Sequence, residues 1–129
     1  MLALSLVAFV GCKKDKDKQK EITVENLTGT WEIYKTYEDG EWDNEWGSAH
    51  GYQRVLKINA NGTGTVEIIE EEYRHESSFT YKLASGYVTI TDSYGDTEQV
   101  KIKSLTDKEL VLEYSYGGET AAEYYKRIK

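Results

Sequence analysis

Apolar and polar residues alternate with a period of two along most of the chain after residue 28, and this alternation constrains the fold more than any other feature. Trp31 and Ile33, for example, alternate with Thr30, Glu32 and Tyr34. Successive side chains of a β-strand point to opposite faces, so a period of two predicts strands that are buried on one face. No helical periodicity of useful length follows residue 21. Similar runs recur at 56–58, 66–68, 79–83, 88–90, 100–102, 110–114 and 122–128.

Short turn signals separate these eight runs, among them Asn61-Gly62, Ser85-Gly86 and Gly117-Gly118. Eight strands with short connections predict an all-β, eight-stranded, up-and-down antiparallel barrel, which leaves no exposed sheet edge. A two-sheet sandwich is the alternative, but it needs crossover connections, and only segment 38–51 is long enough for one. The interior of an eight-stranded barrel is either filled by side chains or holds one small ligand.

Net charge and cysteine content exclude several classes of partner and site. The 129 residues, enough for one domain, carry a net charge of −7, and nucleic-acid binding needs a basic surface. We therefore expect no nucleic-acid partner. Cys12 is the only cysteine, so an intramolecular disulfide is impossible, and the predicted barrel has no thiol for metal binding or catalysis.

The N-terminal segment predicts a lipid anchor. Residues 1–11 are uncharged and almost all apolar, too few for the roughly 20 residues that span a bilayer but enough for the core of a signal peptide. Phe9-Val10-Gly11-Cys12 resembles a bacterial lipobox, and the charged and amide residues 13–20 are typical of a solvated linker. The alternative is that Cys12 is an ordinary buried thiol.

We therefore predict a lipoprotein signal peptide at 1–11, a lipidated Cys12 with a charged linker at 12–26, and the barrel at 27–129. Lipidation would hold the protein at a membrane of the bacterial cell envelope, and the outer membrane is favoured. The Lys-Lys-Asp-Lys-Asp run after Cys12 is similar to export signals of surface lipoproteins in Bacteroidetes, although the leaflet stays open.

Three short motifs stand at particular places along the predicted strands. Gly29-Thr30-Trp31 begins the first strand, Thr106-Asp107 lies between the sixth and seventh strands, and Lys126 or Arg127 stands near the end of the last. In this order they resemble the G-x-W, T-D and basic motifs of the lipocalin family. The resemblance implies that the basic side chain covers the Trp31 indole by a cation–π contact and closes one end of the barrel.

The chain is most similar to the small lipocalin-like lipoproteins of Bacteroidetes. The similarity covers residues 27–129 and is carried by Leu27 to Trp31, by the turn Asn61-Gly62-Thr63 and by 105–112. It implies the fold rather than an activity. We expect a monomer.

Segment 38–51 has the most unusual composition in the chain, because Trp42 and Trp46 stand four residues apart among five carboxylates. Over one end of a barrel, these indoles would cover an apolar ligand or stack on a sugar. Alternatively, they plug the barrel end while the acids face water. The ligand-binding interpretation predicts a cavity that is lined by Trp42, Trp46, Leu56, Val66, Phe79 and Tyr81.

Metal binding and catalysis find no support in the sequence. Asp39, Glu41, Asp43 and Glu45 alternate as calcium ligands do, but an EF-hand loop needs glycine sixth and glutamate twelfth, where Asn44 and His50 stand. His50 and His75 lack zinc-ligand spacing, and segment 47–51 is only superficially similar to a G-x-S-x-G motif. We therefore expect no metal, no cofactor and no enzymatic activity.

Two functions remain open. The favoured one is a lipid-anchored barrel that binds a small apolar or amphipathic ligand. The alternative is an accessory or inhibitory protein with a filled barrel, whose loops bind a protein or a polysaccharide. An outward patch among the tyrosines near the last turn would suit the alternative. These are Tyr114, Tyr116, Tyr124 and Tyr125.

Overall fold

The computed structural model describes residues 18–47 and 50–129 of the chain. It contains one short helix, α1, and nine antiparallel strands, β1 to β9. Their bounds are α1 Val24–Leu27, β1 Gly29–Glu38, β2 Glu41–Asp43, β3 Tyr52–Ile58, β4 Thr63–Glu70, β5 Tyr73–Ala84, β6 Tyr87–Asp92, β7 Thr97–Leu105, β8 Glu109–Tyr116 and β9 Glu119–Arg127.

Strands β1 and β3–β9 form a closed barrel. Each of β3 to β8 pairs with the next strand in the chain, and β1 closes the sheet by pairing with both β3 and β9. The β1–β9 register runs from Trp31 opposite Arg127 to Glu38 opposite Ala121. The predicted all-β, eight-stranded up-and-down barrel is confirmed, and the sandwich is excluded.

The strand outside the barrel, β2, lies within the segment that was predicted from the sequence to be a loop. Asp39 and Gly40 have φ angles of 54° and 79°, the positive values that a two-residue type I′ hairpin requires. The hairpin folds β2 back along the last residues of β1 and places Trp42 opposite Tyr37. Strand β2 pairs with β1 alone and therefore adds no strand to the barrel.

Two β-bulges change which residues face outward. In β1 the register shifts between Ile33, opposite Tyr125, and Lys35, opposite Tyr124. In β7 it shifts between Ile102 and Ser104. An extra residue in one strand of a pair leaves two consecutive residues facing the same side. The bulge in β1 thus places both Tyr34 and Lys35 on the outer surface. The bulge in β7 does the same for Lys103 and Ser104.

The hydrophobic core fills the half of the barrel near α1. Its most deeply buried side chains are Trp31, Ile33, Val100, Leu105 and Leu110. We call this end the closed end and the opposite one the open end. The closed end comprises α1 and the turns at 59–62, 85–86 and 106–108, and the open end comprises the connections at 39–47, 50–51, 71–72, 93–96 and 117–118.

Ordered contacts begin before residue 27. The Gln19 amide donates to the Ser104 hydroxyl at 2.7 Å, and the Lys20 backbone N–H donates to the Leu105 carbonyl at 2.6 Å. Ile22 and Val24 then pack against the core. Part of the predicted 12–26 linker therefore belongs to the barrel, because its polar groups bond to the end of β7. Cys12 and the predicted signal peptide lie outside the described residues.

Candidate functional site

At the closed end, Arg127 covers Trp31. The Arg127 Cζ lies 4.2 Å from the centre of the indole ring. Its three nitrogens donate to the carbonyl oxygens of Asn26, Thr28 and Asp107 at 3.0, 2.9 and 2.8 Å. Of the two basic candidates, Arg127 therefore makes this contact.

Lys126 instead lies opposite Glu32 and Glu109 and is exposed.

The other motif residues complete this arrangement. Gly29 has a φ of 151°, and a Cβ there would collide with the Arg127 guanidinium, so only glycine lets the arginine cross β1. The buried Thr106 accepts hydrogen bonds from the backbone N–H groups of Lys108 and Glu109. The Asp107 carboxylate pairs with Lys20 at 3.2 Å. All of these contacts hold segments of the closed end together, so the motif is structural.

The barrel interior above this end contains a small apolar cavity of about 30 Å³. Because a water molecule needs at least about 10–15 Å³, the cavity is too small for a lipid or sterol. The Phe79 ring covers Gly64 on the neighbouring strand, which narrows the interior further. Ten side chains line the cavity: Leu27, Leu56, Ile58, Phe79, Tyr81, Val88, Ile90, Ile102, Leu110 and Leu112.

A buried charged cluster lies in the interior nearer the open end. Arg54 is on the same strand face as Leu56 and Ile58 and therefore points into the barrel. Its Nη1 lies 2.7 Å from the Glu123 Oε2. The side chains of this pair are only 23% and 19% exposed. The hydroxyls of Tyr114 and Tyr125 donate to the Glu123 Oε1 at 3.1 and 2.8 Å. We call these four residues the lumen cluster.

The charge states of the lumen cluster follow from these contacts. Burial lowers the pKa of Arg54, but the facing Tyr125 and Glu123 more than offset burial, so the net pKa is raised and the guanidinium stays charged. Burial, followed by the negative charge of Glu123, raises the pKa of Tyr114 and of Tyr125. Both phenols are therefore neutral donors at physiological pH.

Two N–H groups beside this cluster have no acceptor. They are the Nε of Arg54 and the Nε1 of Trp46, and both atoms are buried. The Arg54 Cζ lies 5.6 Å from the Trp46 ring, which also packs edge-on against Tyr52. A buried donor without an acceptor costs about 1–3 kcal/mol. The arrangement thus lacks hydrogen-bond acceptors that a bound molecule can supply.

The interior is accessible from the open end. Val66 lies opposite Leu56, and Ile68 lies opposite Arg54, so both face inward, yet both are only partly buried. Phe79 and Ile90 are likewise partly buried. His75 is opposite Ile68 and exposed. An apolar surface between the small cavity and the rim is therefore open to solvent.

The structure brings together part of the predicted cavity lining. Leu56, Phe79 and Tyr81 line the cavity, Val66 faces the interior above it, and Trp46 packs beside Arg54 near the open end. Trp42 is not part of the interior, because the β2 hairpin carries it along the outer side of β1, where it is 50% exposed.

Arg54 and Glu123 were not predicted as site residues, nor was the inward orientation of Tyr114 and Tyr125. A signal was present, since Arg54 is in phase with Leu56 and Ile58 and therefore had to share their face.

Within residues 18–47 and 50–129, no three His, Cys, Asp or Glu side chains are grouped as metal ligands would be. In the same part of the chain, no helix combines the length and apolar character needed to cross a bilayer.

A closed up-and-down barrel of eight strands, with a tryptophan of the first strand under an arginine of the last, defines a lipocalin-type fold. Residues 27–112 match the model of the lipocalin-like domain family, and the chain belongs to this family. The predicted resemblance is thereby confirmed.

Two solved structures share this fold. One is a lipocalin-like protein from Bacteroides uniformis, with a TM-score of 0.62 and 14% identity over 80% of this chain and 99% of that one. The other is an uncharacterized protein from Bacteroides eggerthii, with a TM-score of 0.57 and 16% identity over 78% of this chain and 98% of that one. No curated protein matches the sequence.

Proposed function

We propose that the barrel binds a small amphipathic ligand at its open end. The observation that carries this proposal is the pair of buried, unpartnered N–H groups on Arg54 and Trp46, next to partly exposed apolar residues. A carboxylate or another acceptor group on the ligand would take up these hydrogen bonds. Its apolar part would lie on the inward-facing side chains.

The dimensions of the interior set the size of this ligand. The interior cavity of about 30 Å³ admits no alkyl chain. The apolar part must therefore lie above it, on Val66 and Ile68, which face inward nearer the open end. Each Å² of apolar surface that is buried there contributes about 25 cal/mol. A short amphipathic molecule fits this surface better than a long-chain lipid.

Binding, rather than catalysis, is the role that we propose for the lumen cluster. Arg54 and Glu123 are paired with each other, and the pKa values of Tyr114 and Tyr125 are raised away from neutrality, by burial first and then by Glu123. General acid–base catalysis favours groups whose pKa lies near the working pH. These four residues are better suited to hold a polar group in place.

A matched pair of ligands tests the proposal. Decanoate and decanol have the same chain length and differ in the head group, and isothermal titration calorimetry measures both affinities. The full chain with Cys12→Ser, which blocks lipidation, is the protein to use. We expect decanoate to bind at least about tenfold more tightly, the factor that corresponds to 1.4 kcal/mol.

The double variant Arg54→Met, Glu123→Gln should lose this preference while keeping a neutral interior. Arg74→Met is the matched control, because Arg74 is an exposed arginine whose ion pair is with Glu67. If neither ligand binds the parent protein at millimolar concentration, the proposal is wrong.

We also propose that Cys12 is lipidated and holds the barrel at a membrane of a Gram-negative cell envelope. The support is the apolar run at 1–11, the lipobox-like Phe9-Val10-Gly11-Cys12 and the charged residues that follow. Fractionation of cells that express Cys12→Ala should show the protein in the soluble rather than the membrane fraction. Retention in the membrane fraction would contradict the anchor.

A further inference from the structure

A groove crosses the outer surface of the barrel over β9. Its side chains differ in kind from those of the lumen cluster. One wall is aromatic: the Trp42 ring lies 4.7 Å from the Tyr37 ring and 5.3 Å from the Tyr124 ring. Half of the Trp42 surface remains exposed. We call Tyr37, Trp42 and Tyr124 the aromatic wall.

Lys35 holds this wall in place. Its Nζ lies 4.5 Å from the centre of the Trp42 ring and 4.8 Å from that of the Tyr124 ring. In cation–π contacts of this kind the ammonium is attracted to the electron-rich faces of both rings. The indole is therefore fixed in position before any ligand arrives, which lowers the entropy cost of binding.

The floor and the opposite wall of the groove are different in character. The floor is the small, buried Ala122, which leaves a depression between the walls. The opposite wall carries Lys103 and Glu113, 3.8 Å apart, with Thr120 at the rim. The groove has a volume of about 350 Å³, within the range of about 300–1,000 Å³ that is typical of small-molecule sites.

We propose that this groove binds a pyranose unit of a glycan. A pyranose presents C–H groups on its faces and hydroxyls around its edge. The aromatic wall offers a flat apolar surface to a face, and the Lys103 ammonium, Glu113 carboxylate and Thr120 hydroxyl offer donors and acceptors to the edge. A purely apolar ligand would make no use of these polar groups, and an anion would gain nothing from the face of the indole.

The site depends on both β-bulges. The bulge in β1 presents Lys35 to the aromatic wall, and the bulge in β7 presents Lys103 to the opposite wall. Bulges re-aim side chains beside functional sites. Here one bulge supplies a lysine that lines the groove, Lys103, and the other supplies the lysine that contacts the aromatic wall, Lys35.

Isothermal titration calorimetry with maltohexaose, cellohexaose, xylohexaose and chitohexaose tests the proposal on the full chain with Cys12→Ser. We expect at least one of the four to bind with a dissociation constant below about 1 mM, equivalent to about −4 kcal/mol. Trp42→Ala should weaken that binding at least about tenfold, and Trp42→Phe should restore part of it. Glu113→Gln should weaken it as well.

Tyr94→Ala is the matched control, because Tyr94 is an exposed aromatic residue at the open end and outside the groove. The double variant Arg54→Met, Glu123→Gln should leave glycan affinity unchanged, which separates this proposal from the one for the lumen. Binding of none of the four sugars overturns the proposal. So does binding that Trp42→Ala leaves intact.

Discussion

Arg127 links two separate segments of the backbone through three carbonyl oxygens while its guanidinium lies on the Trp31 indole. Its nitrogens reach carbonyl oxygens of α1, of the residue before β1 and of the β7–β8 turn. Trp31 in turn donates from its Nε1 to the Leu27 carbonyl at 2.9 Å. The closed end is thus held by one stacked pair, and its disruption should affect folding rather than ligand binding.

Trp31→Ala should lower the free energy of unfolding by about 3–5 kcal/mol, as truncations of large buried aromatic residues do. The indole is fully buried, and its loss would leave a cavity under Arg127. Urea unfolding followed by circular dichroism measures the change. Trp42→Ala is the matched control, because the half-exposed Trp42 should cost far less. Equal losses for the two variants would contradict a structural role specific to Trp31.

Arg127→Lys should also destabilise the protein, by about 1–3 kcal/mol, because one ammonium cannot donate to three separated carbonyls. The variant keeps the positive charge and thus separates geometry from electrostatics. Thermal unfolding is a sufficient measurement, with Lys126→Arg as the control on the adjacent, exposed position. An unchanged melting temperature for Arg127→Lys would show that charge alone matters.

Glu123→Gln should destabilise the fold by about 1–3 kcal/mol, because Arg54 and two tyrosine hydroxyls lose a charged acceptor. Arg54→Met, Glu123→Gln should recover part of this loss, since the unpaired cation is gone. A double-mutant cycle from urea unfolding gives the coupling energy. Additive effects would mean that the pair contributes no coupling.

Stability should decrease at alkaline pH. The pKa values of Tyr114 and Tyr125 are raised above the usual value near 10, by burial first and then by Glu123. Above pH 10 the unfolded chain therefore releases these protons first, and each tyrosine lowers the free energy of unfolding by up to about 1.4 kcal/mol per pH unit. Below pH 10 this contribution is fully present.

Urea unfolding between pH 7 and pH 11.5 checks this dependence. Tyr114→Phe should reduce the slope above pH 10, whereas Tyr94→Phe should not, because that side chain is 89% exposed in the folded protein. A slope that is the same in Tyr114→Phe and in the parent would contradict the assignment.

The barrel itself was predictable from the sequence, because alternation and turn residues are local signals that survive without knowledge of pairing. The position of Trp42 was not recognised, although Asp39-Gly40 is a signal for the hairpin that moves it outside. The four-residue helix α1 is too short to show periodicity. The bulges are set by pairing between strands, which alternation along one strand does not reveal.

The site divides in the same way. Leu56, Phe79 and Tyr81 were predicted as cavity residues from their apolar phase, and the structure places them around the cavity. Arg54 was not predicted as a cavity residue. A charged residue at an inward position interrupts the apolar alternation of the strand, and its burial is not expected unless its partner is known. That partner, Glu123, is 69 residues away in the chain.

The bulge in β1 lets the outer and the inner residues of the barrel vary independently in evolution. It places two residues, Tyr34 and Lys35, on the outside where regular alternation places one, and Ile33 before it and Thr36 after it still face inward. Substitutions at 34, 35 and 37 alter what the barrel displays, whereas those at 31 and 33 decide whether it folds. Natural variation can therefore change the outer surface of such a barrel while its interior is inherited unchanged.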